Sequence, residues 1–91
     1  MEKICVFLAE GFEEGEALIP VDLLRRAGAQ VTMASISSCL DVQGSHGITV
    51  KADALASQLS MEEFGLLMMP GGLQGTNHLL HSELVKQAVL Q

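Results

Sequence analysis

The sequence predicts an α/β protein organised on a parallel β-sheet, and three stretches predict it. Ile4 to Ala9 is an unbroken apolar run that stops at Gly11. A continuous rather than alternating strand expects cover on both faces, which is the pattern of a parallel sheet between helices. Ala17 to Arg26 then carries apolar residues at helical spacing, and Leu66-Leu67-Met68-Met69 is a second fully apolar run cut off sharply by Pro70-Gly71-Gly72.

The first run reads as a strand, the carboxylate-rich Glu13-Glu14-Gly15-Glu16 as a turn into a helix, and Arg25-Arg26-Ala27-Gly28 as its exit. Cations in the last turn suit the helix dipole, and Gly28 supplies a left-handed residue after it. Ala29 to Ile36 is a second strand, which completes a right-handed βαβ unit. Ser37 to Gln43 is polar and turn-like. Gly44-Ser45-His46-Gly47, followed by Ile48 to Asp53, predicts a short excursion of edge strands or a hairpin.

Leu55 to Phe64 predicts a short helix, with Ser60 and Glu63 in capping-box spacing and Gly65 as its end. Leu66 to Met69 is the third strand of a three-stranded parallel half-sheet. Thr76 or Asn77 caps a last helix, with apolar residues at Leu79, Leu80, Leu84, Val85, Ala88, Val89 and Leu90. No capping residue follows this helix, and a βα pattern normally returns to the sheet. A further element is therefore expected beyond Gln91.

Ninety-one residues suffice for one small domain. Three Phe and no Trp or Tyr make its core aliphatic. An apolar content of 48% is high for a surface-rich small domain, so either the packing is unusually economical or some apolar surface is meant for another chain or a missing segment. A net charge of −6 with five Lys and Arg argues against nucleic acid or an anionic membrane surface as partner. The start carries no basic leader and no run is long enough to span a bilayer, so a soluble cytoplasmic protein is expected. Cys5 and Cys39 make neither a disulfide framework nor a CxxC motif, and reduced thiols are the default.

Glu13, Glu14 and Glu16 fall at the carboxyl end of the first strand, where the ligands of such sheets bind. They read either as complements to the helix dipole or as a set of which one turns inward, is desolvated and donates a proton at the crevice. Gly71-Gly72 ends the third strand at the same sheet edge. It reads either as a tight turn or as backbone amides free to approach an anion or oxyanion. Neither a Walker loop nor GxGxxG is present, so a nucleotide site is weakly supported. His78 and His81, three apart, and His46 in a loop have no accompanying Cys or carboxylate constellation and read as solvated surface residues, with no metal expected. Cys5 reads as a small buried hydrophobe, and Cys39 lacks an activating cation or helix terminus.

Leu8-Ala9-Glu10-Gly11-Phe12-Glu13-Glu14-Gly15-Glu16-Ala17, followed by Ile19-Pro20-Val21-Asp22-Leu23-Leu24-Arg25-Arg26-Ala27-Gly28, resembles the ThiJ/PfpI superfamily in the branch of the parkinsonism-associated deglycase. Met69-Pro70-Gly71-Gly72 and the Leu-x-Gly-x-x-x-Leu spacing after it resemble that family's second signature, and the match runs over essentially the whole chain. The resemblance implies a flavodoxin-like three-layer sandwich, of which residues 1–91 are the N-terminal portion of a single domain. It implies that Glu16 is the acid aimed at a nucleophilic cysteine and that Gly72, with Gly71 beside it, is the oxyanion amide donor. Glu13 is the expected substrate-side carboxylate.

Family members place an Ala-x-Cys-x-Gly elbow and an accompanying His C-terminal to where this chain ends. Cys5 and Cys39 do not stand at that position, and Gly44 stands where some relatives carry another cysteine. The implied chemistry is glyoxalase-type conversion or reversal of glycation on a small aldehyde or glycated substrate, with no bound cofactor. Chaperone and oxidative-stress roles accompany it, and older family names point to thiazole monophosphate biosynthesis and proteolysis. A C-terminal half as partner and a homodimer of the completed domain are implied with it. A non-enzymatic interaction module on the same fold is the alternative.

Overall fold

The computed structural model describes residues 3–71. Strand β1 (Lys3–Leu8) leads into helix α1 (Glu14–Arg26) and strand β2 (Gln30–Ser35). Strands β3 (Asp41–Gln43) and β4 (Thr49–Lys51) form a hairpin, and β5 (Ala54–Leu55) and β6 (Leu66–Met68) complete the described elements. The main sheet is parallel and has the order β5-β2-β1-β6. The hairpin is a separate antiparallel pair, with Val42 opposite Val50.

The uninterrupted apolar character of β1 follows from its place at the middle of the sheet. Ile4, Val6 and Leu8 face one side and pack with Phe12, Ala17 and Val21, together with Val42 and Val50 of the hairpin. Cys5, Phe7 and Ala9 face the other side and pack with Ala34 and Ala56, flanked by Leu59, Met61, Phe64 and Leu67. One strand therefore serves two cores. Full burial of a large side chain in either contributes about 1.5–3 kcal/mol relative to exposure.

Helix α1 lays Ala17 and Val21 into the core under the sheet, buries Glu14 against the β3–β4 turn, and leaves Ile19 and Leu23 about 60% exposed. Pro20 lies inside it and has no N–H to give the Glu16 carbonyl, which removes one helical bond from the turn that carries Glu16. The expected exit is found, with Gly28 at φ 96° after Arg25 and Arg26. Arg25 also clamps the helix end: its Nη2 donates to Val31 O at 2.9 Å and pairs with Asp53 Oδ2 at 2.7 Å. The same Asp53 oxygen accepts Met33 N–H at 2.8 Å.

Three expectations change. The parallel sheet has four described strands, not three, because Ala54 and Leu55 pair with Ala34 and Ser35. Two residues are too few to carry a period. The helix expected over Leu55 to Phe64 is instead two short 3₁₀ turns, Ala56–Gln58 and Met61–Glu63. Ala56, Leu59, Met61 and Phe64 are spaced to touch the sheet from a turning chain rather than from one helical face, and the Ser60 side chain makes no capping bond. Asp41 to Gln43, read as turn, is the first hairpin strand, with only Val42 of its three residues buried. Among the described residues no helix is long and apolar enough to cross a membrane. The expected last helix with Thr76, Asn77, His78 and His81, and Gly72, lie outside the described residues.

Candidate active site

The sheet order sets the place of the site. From β1 the chain crosses to β2 on one side, and β6 pairs on the other, so the carboxyl ends of β1 and β6 flank a topological switch point. The loop after β1 and the Pro70-Gly71 turn after β6 meet there. Phe12, fully buried, anchors the loop. Gly11 N–H donates to Gln43 O at 2.9 Å, Ser45 N–H to Phe12 O at 2.8 Å, and Glu13 N–H to Gly71 O at 2.8 Å. The loop is thus tied to the hairpin on one side and to the β6 turn on the other.

Glu13 is the N-cap of α1, with Oε1 accepting Gly15 N–H at 2.9 Å. Glu16 is exposed, and its carboxylate lies over the Gly71 Cα. A Cβ added at Gly71 would stand 2.5 Å from Glu16 Oε1, so this approach requires a residue without a side chain. Glu13, Gly15, Glu16, Ile19 and Pro20 line an open groove of about 530 Å³. Glu13, Glu16 and Gly71, expected from sequence to act together, are brought to one place.

Glu14 is the carboxylate that turns inward. Its side chain is 6% exposed, and Oε2 accepts N–H bonds from His46 at 2.8 Å and Ile48 at 3.2 Å. Oε1 faces Ser45 Oγ at 3.4 Å and His46 Nδ1 at 3.0 Å. A Cβ at Gly44 would collide with this carboxyl group. Burial pushes the Glu14 carboxyl up, but the hydrogen bonds from the His46 ring and from the backbone of Glu14, His46 and Ile48 outweigh it and bring it down to about 2. Glu14 is therefore a fixed anion rather than a proton donor. His46 is raised from 6.5 by its bond to Glu14 and by the charges of Glu13 and Glu14, against a smaller opposing effect of burial.

Sequence reasoning missed the part played by His46. Its partners lie more than thirty positions away, and the one local signal was the Gly44-Ser45-His46-Gly47 turn. Burial raises the Cys5 thiol to about 11, which makes it inert, while Cys39 is exposed in a loop. Neither cysteine stands at the site.

Residues 2–91 match the model of the DJ-1/PfpI family. The chain is 39% identical over 88 residues to the DJ-1 homolog B of Arabidopsis thaliana, covering 97% of this chain and 20% of that protein. A deglycase of Thermococcus kodakarensis is 33% identical over 70 residues, 77% of this chain and 42% of its own length. The structure of oxidized DJ-1 from Toxoplasma gondii superposes with a TM-score of 0.95 at 36% identity, covering 99% of this chain and 49% of that one. The chain thus spans less than half the length of these relatives, and its parallel sheet and helix are those of a flavodoxin-like fold. By sequence and by fold, the chain belongs to the DJ-1/PfpI family.

Proposed function

We propose that this chain is the N-terminal portion of a single-domain, cysteine-dependent enzyme of the glyoxalase or protein-deglycase type. Its nucleophile lies on a C-terminal half supplied by a further segment or a separate chain. The observation that carries this reading is the meeting of Glu16 and Gly71 at the switch point of the sheet, from motifs 55 residues apart. In the completed site Glu16 hydrogen-bonds the thiol, keeps it available as thiolate and shuttles its proton. The sulfur adds to the aldehyde or acyl carbon, the carbonyl π pair moves onto oxygen, and the Gly72 amide beside Gly71 holds the oxyanion. Glu13 faces the substrate from the rim of the groove. The reaction needs no bound cofactor, and the completed domain works in the cytoplasm as a homodimer.

The test begins with the mass of the purified protein, denatured and then native. A second polypeptide of similar size bound to this one supports the reading. Activity of the assembled protein on a small α-oxoaldehyde is then measured with Glu16→Gln, and unchanged turnover would refute the role given to Glu16.

Five exposed apolar side chains, Ile19, Leu23, Ile48, Leu66 and Met69, favour a second reading, a non-enzymatic chaperone-like interaction module. A chain that stays alone in the native mass measurement and still suppresses aggregation of a client protein would select it.

A further inference from the structure

Glu13 and Glu14 open α1, and His46 reaches them from the β3–β4 turn. Each carboxylate is fixed by backbone amides through one oxygen: Glu13 Oε1 by Gly15 N–H, and Glu14 Oε2 by His46 and Ile48 N–H. Each turns its other oxygen to the same imidazole nitrogen, Nδ1 standing 3.6 Å from Glu13 Oε2 and 3.0 Å from Glu14 Oε1. One ligand atom from each of the three residues falls within 4.8 Å of the others. A tetrahedron built on zinc bonds of roughly 2.0–2.1 Å has an edge of about 3.3 Å, and the two imidazole distances bracket it.

We propose that Glu13 Oε2, Glu14 Oε1 and His46 Nδ1 form a binding site for a divalent transition cation of the zinc type, with a fourth position open to solvent. The imidazole donor favours zinc, copper or nickel over magnesium or calcium. The amide bonds on the far oxygens are the outer contacts that hold metal-binding carboxylates in place, and they survive binding unchanged. What changes is the link between Nδ1 and Oε1. The cation takes the place of the proton on Nδ1: the N–H bond breaks, the proton leaves for solvent, and the pair freed on Nδ1 joins one lone pair from each carboxylate oxygen in the three new bonds. The α1 N-terminus presents a positive dipole end that opposes a cation, so the site requires both carboxylates. The Glu14 side chain is 6% exposed and the His46 side chain 69%, so the cation enters from the imidazole side. Glu16 takes no part, so Glu13 is the one residue that the site shares with the enzymatic reading.

The test titrates the purified, chelator-stripped protein with Zn²⁺ alone by calorimetry, in two buffers of different ionisation enthalpy. Co²⁺ follows as a spectroscopic probe. The expected result is a single cation per chain, proton release that grows as the pH is lowered, and the intense visible bands of tetrahedral Co²⁺ without thiolate charge transfer. His46→Gln, at an exposed position that the fold does not need, abolishes binding. Glu13→Gln weakens it by at least about tenfold. Cys39→Ser and the double variant His78→Gln, His81→Gln keep it. Failure of the parent protein to bind, unchanged binding in His46→Gln, or loss of binding in either of the last two variants overturns the proposal. None of these outcomes depends on turnover.

Discussion

The His46 backbone N–H donates to Glu14 Oε2 over 2.8 Å, so a buried carboxylate at the start of α1 holds the tip of the β3–β4 hairpin. Ile48 N–H donates to the same oxygen, and the two amides have that acceptor in common. Glu14→Ala is expected to leave both without a partner and to lower the melting temperature. Hydrogen exchange checks the cause: the amides of His46 and Ile48 lose protection, while Val6 and Met33 in the main sheet keep theirs.

The same contact fixes a pH dependence in the metal-free protein. The Glu14 carboxyl is depressed from 4.5 to about 2, so its contribution is complete above pH 4.5 and is lost as pH falls through about 2. His46 is raised from 6.5, so its contribution is complete below that value and is lost as pH rises through the raised one. The hairpin is therefore most stable between about pH 4.5 and 6.5. Thermal unfolding in chelator across this range checks it. His46→Gln is expected to flatten the alkaline side and to weaken the acid side, both by little, because the imidazole is mostly exposed and the backbone amides still hold Glu14.

Gly71→Ala is expected to displace the Glu16 carboxylate without unfolding the chain, because the atom in the way is the end of a flexible side chain. Circular dichroism should be unchanged. Activity of the completed enzyme should fall by about 10²-fold or more, the scale on which misplacement of a catalytic group acts. Retained turnover with a displaced Glu16 would refute the arrangement.

Of Cys5 and Cys39, thiol labelling of the native protein should modify Cys39 alone. Cys5 is fully buried and its thiol is raised to about 11, so its modification is expected only in denaturant. Peptide mass spectrometry before and after unfolding reads Cys39 modified first and Cys5 modified only after unfolding.

Phe7→Ala empties the centre of the core on the sheet face opposite α1. The expected cost is about 3–5 kcal/mol, the usual range for deleting a buried aromatic ring. Denaturant midpoints measure it.

The parallel sheet was legible because β1 and β6 are apolar on successive positions and are ended by Gly11 and by Pro70-Gly71. The helix was legible because its apolar spacing, acidic first turn and Gly28 exit agree. Strand β5 was not, since two residues show no period and are held there by the Asp53 clamp. Ser60 and Glu63 had the spacing of a capping box, but the surrounding apolar residues follow the curve of the sheet, and tertiary packing prevailed over the local motif. At the site, Glu13, Glu16 and Gly71 could be placed together because the carboxyl ends of adjacent parallel strands share one edge. Which of three neighbouring glutamates turns inward could not be read, because the donors that draw Glu14 in belong to His46 and Ile48.

The central position of β1 also sets an order of events during synthesis. Its pairing with β2 needs no residue beyond 35, with α1 packed across it, and can close once that stretch has emerged. Its other edge waits for Leu66 to pair with Ile4, a closure over most of the described chain. Until then β1, the most apolar strand among the described residues, has a bare edge as it leaves the ribosome. The nascent β1-α1-β2 unit is therefore the species that a chaperone must guard.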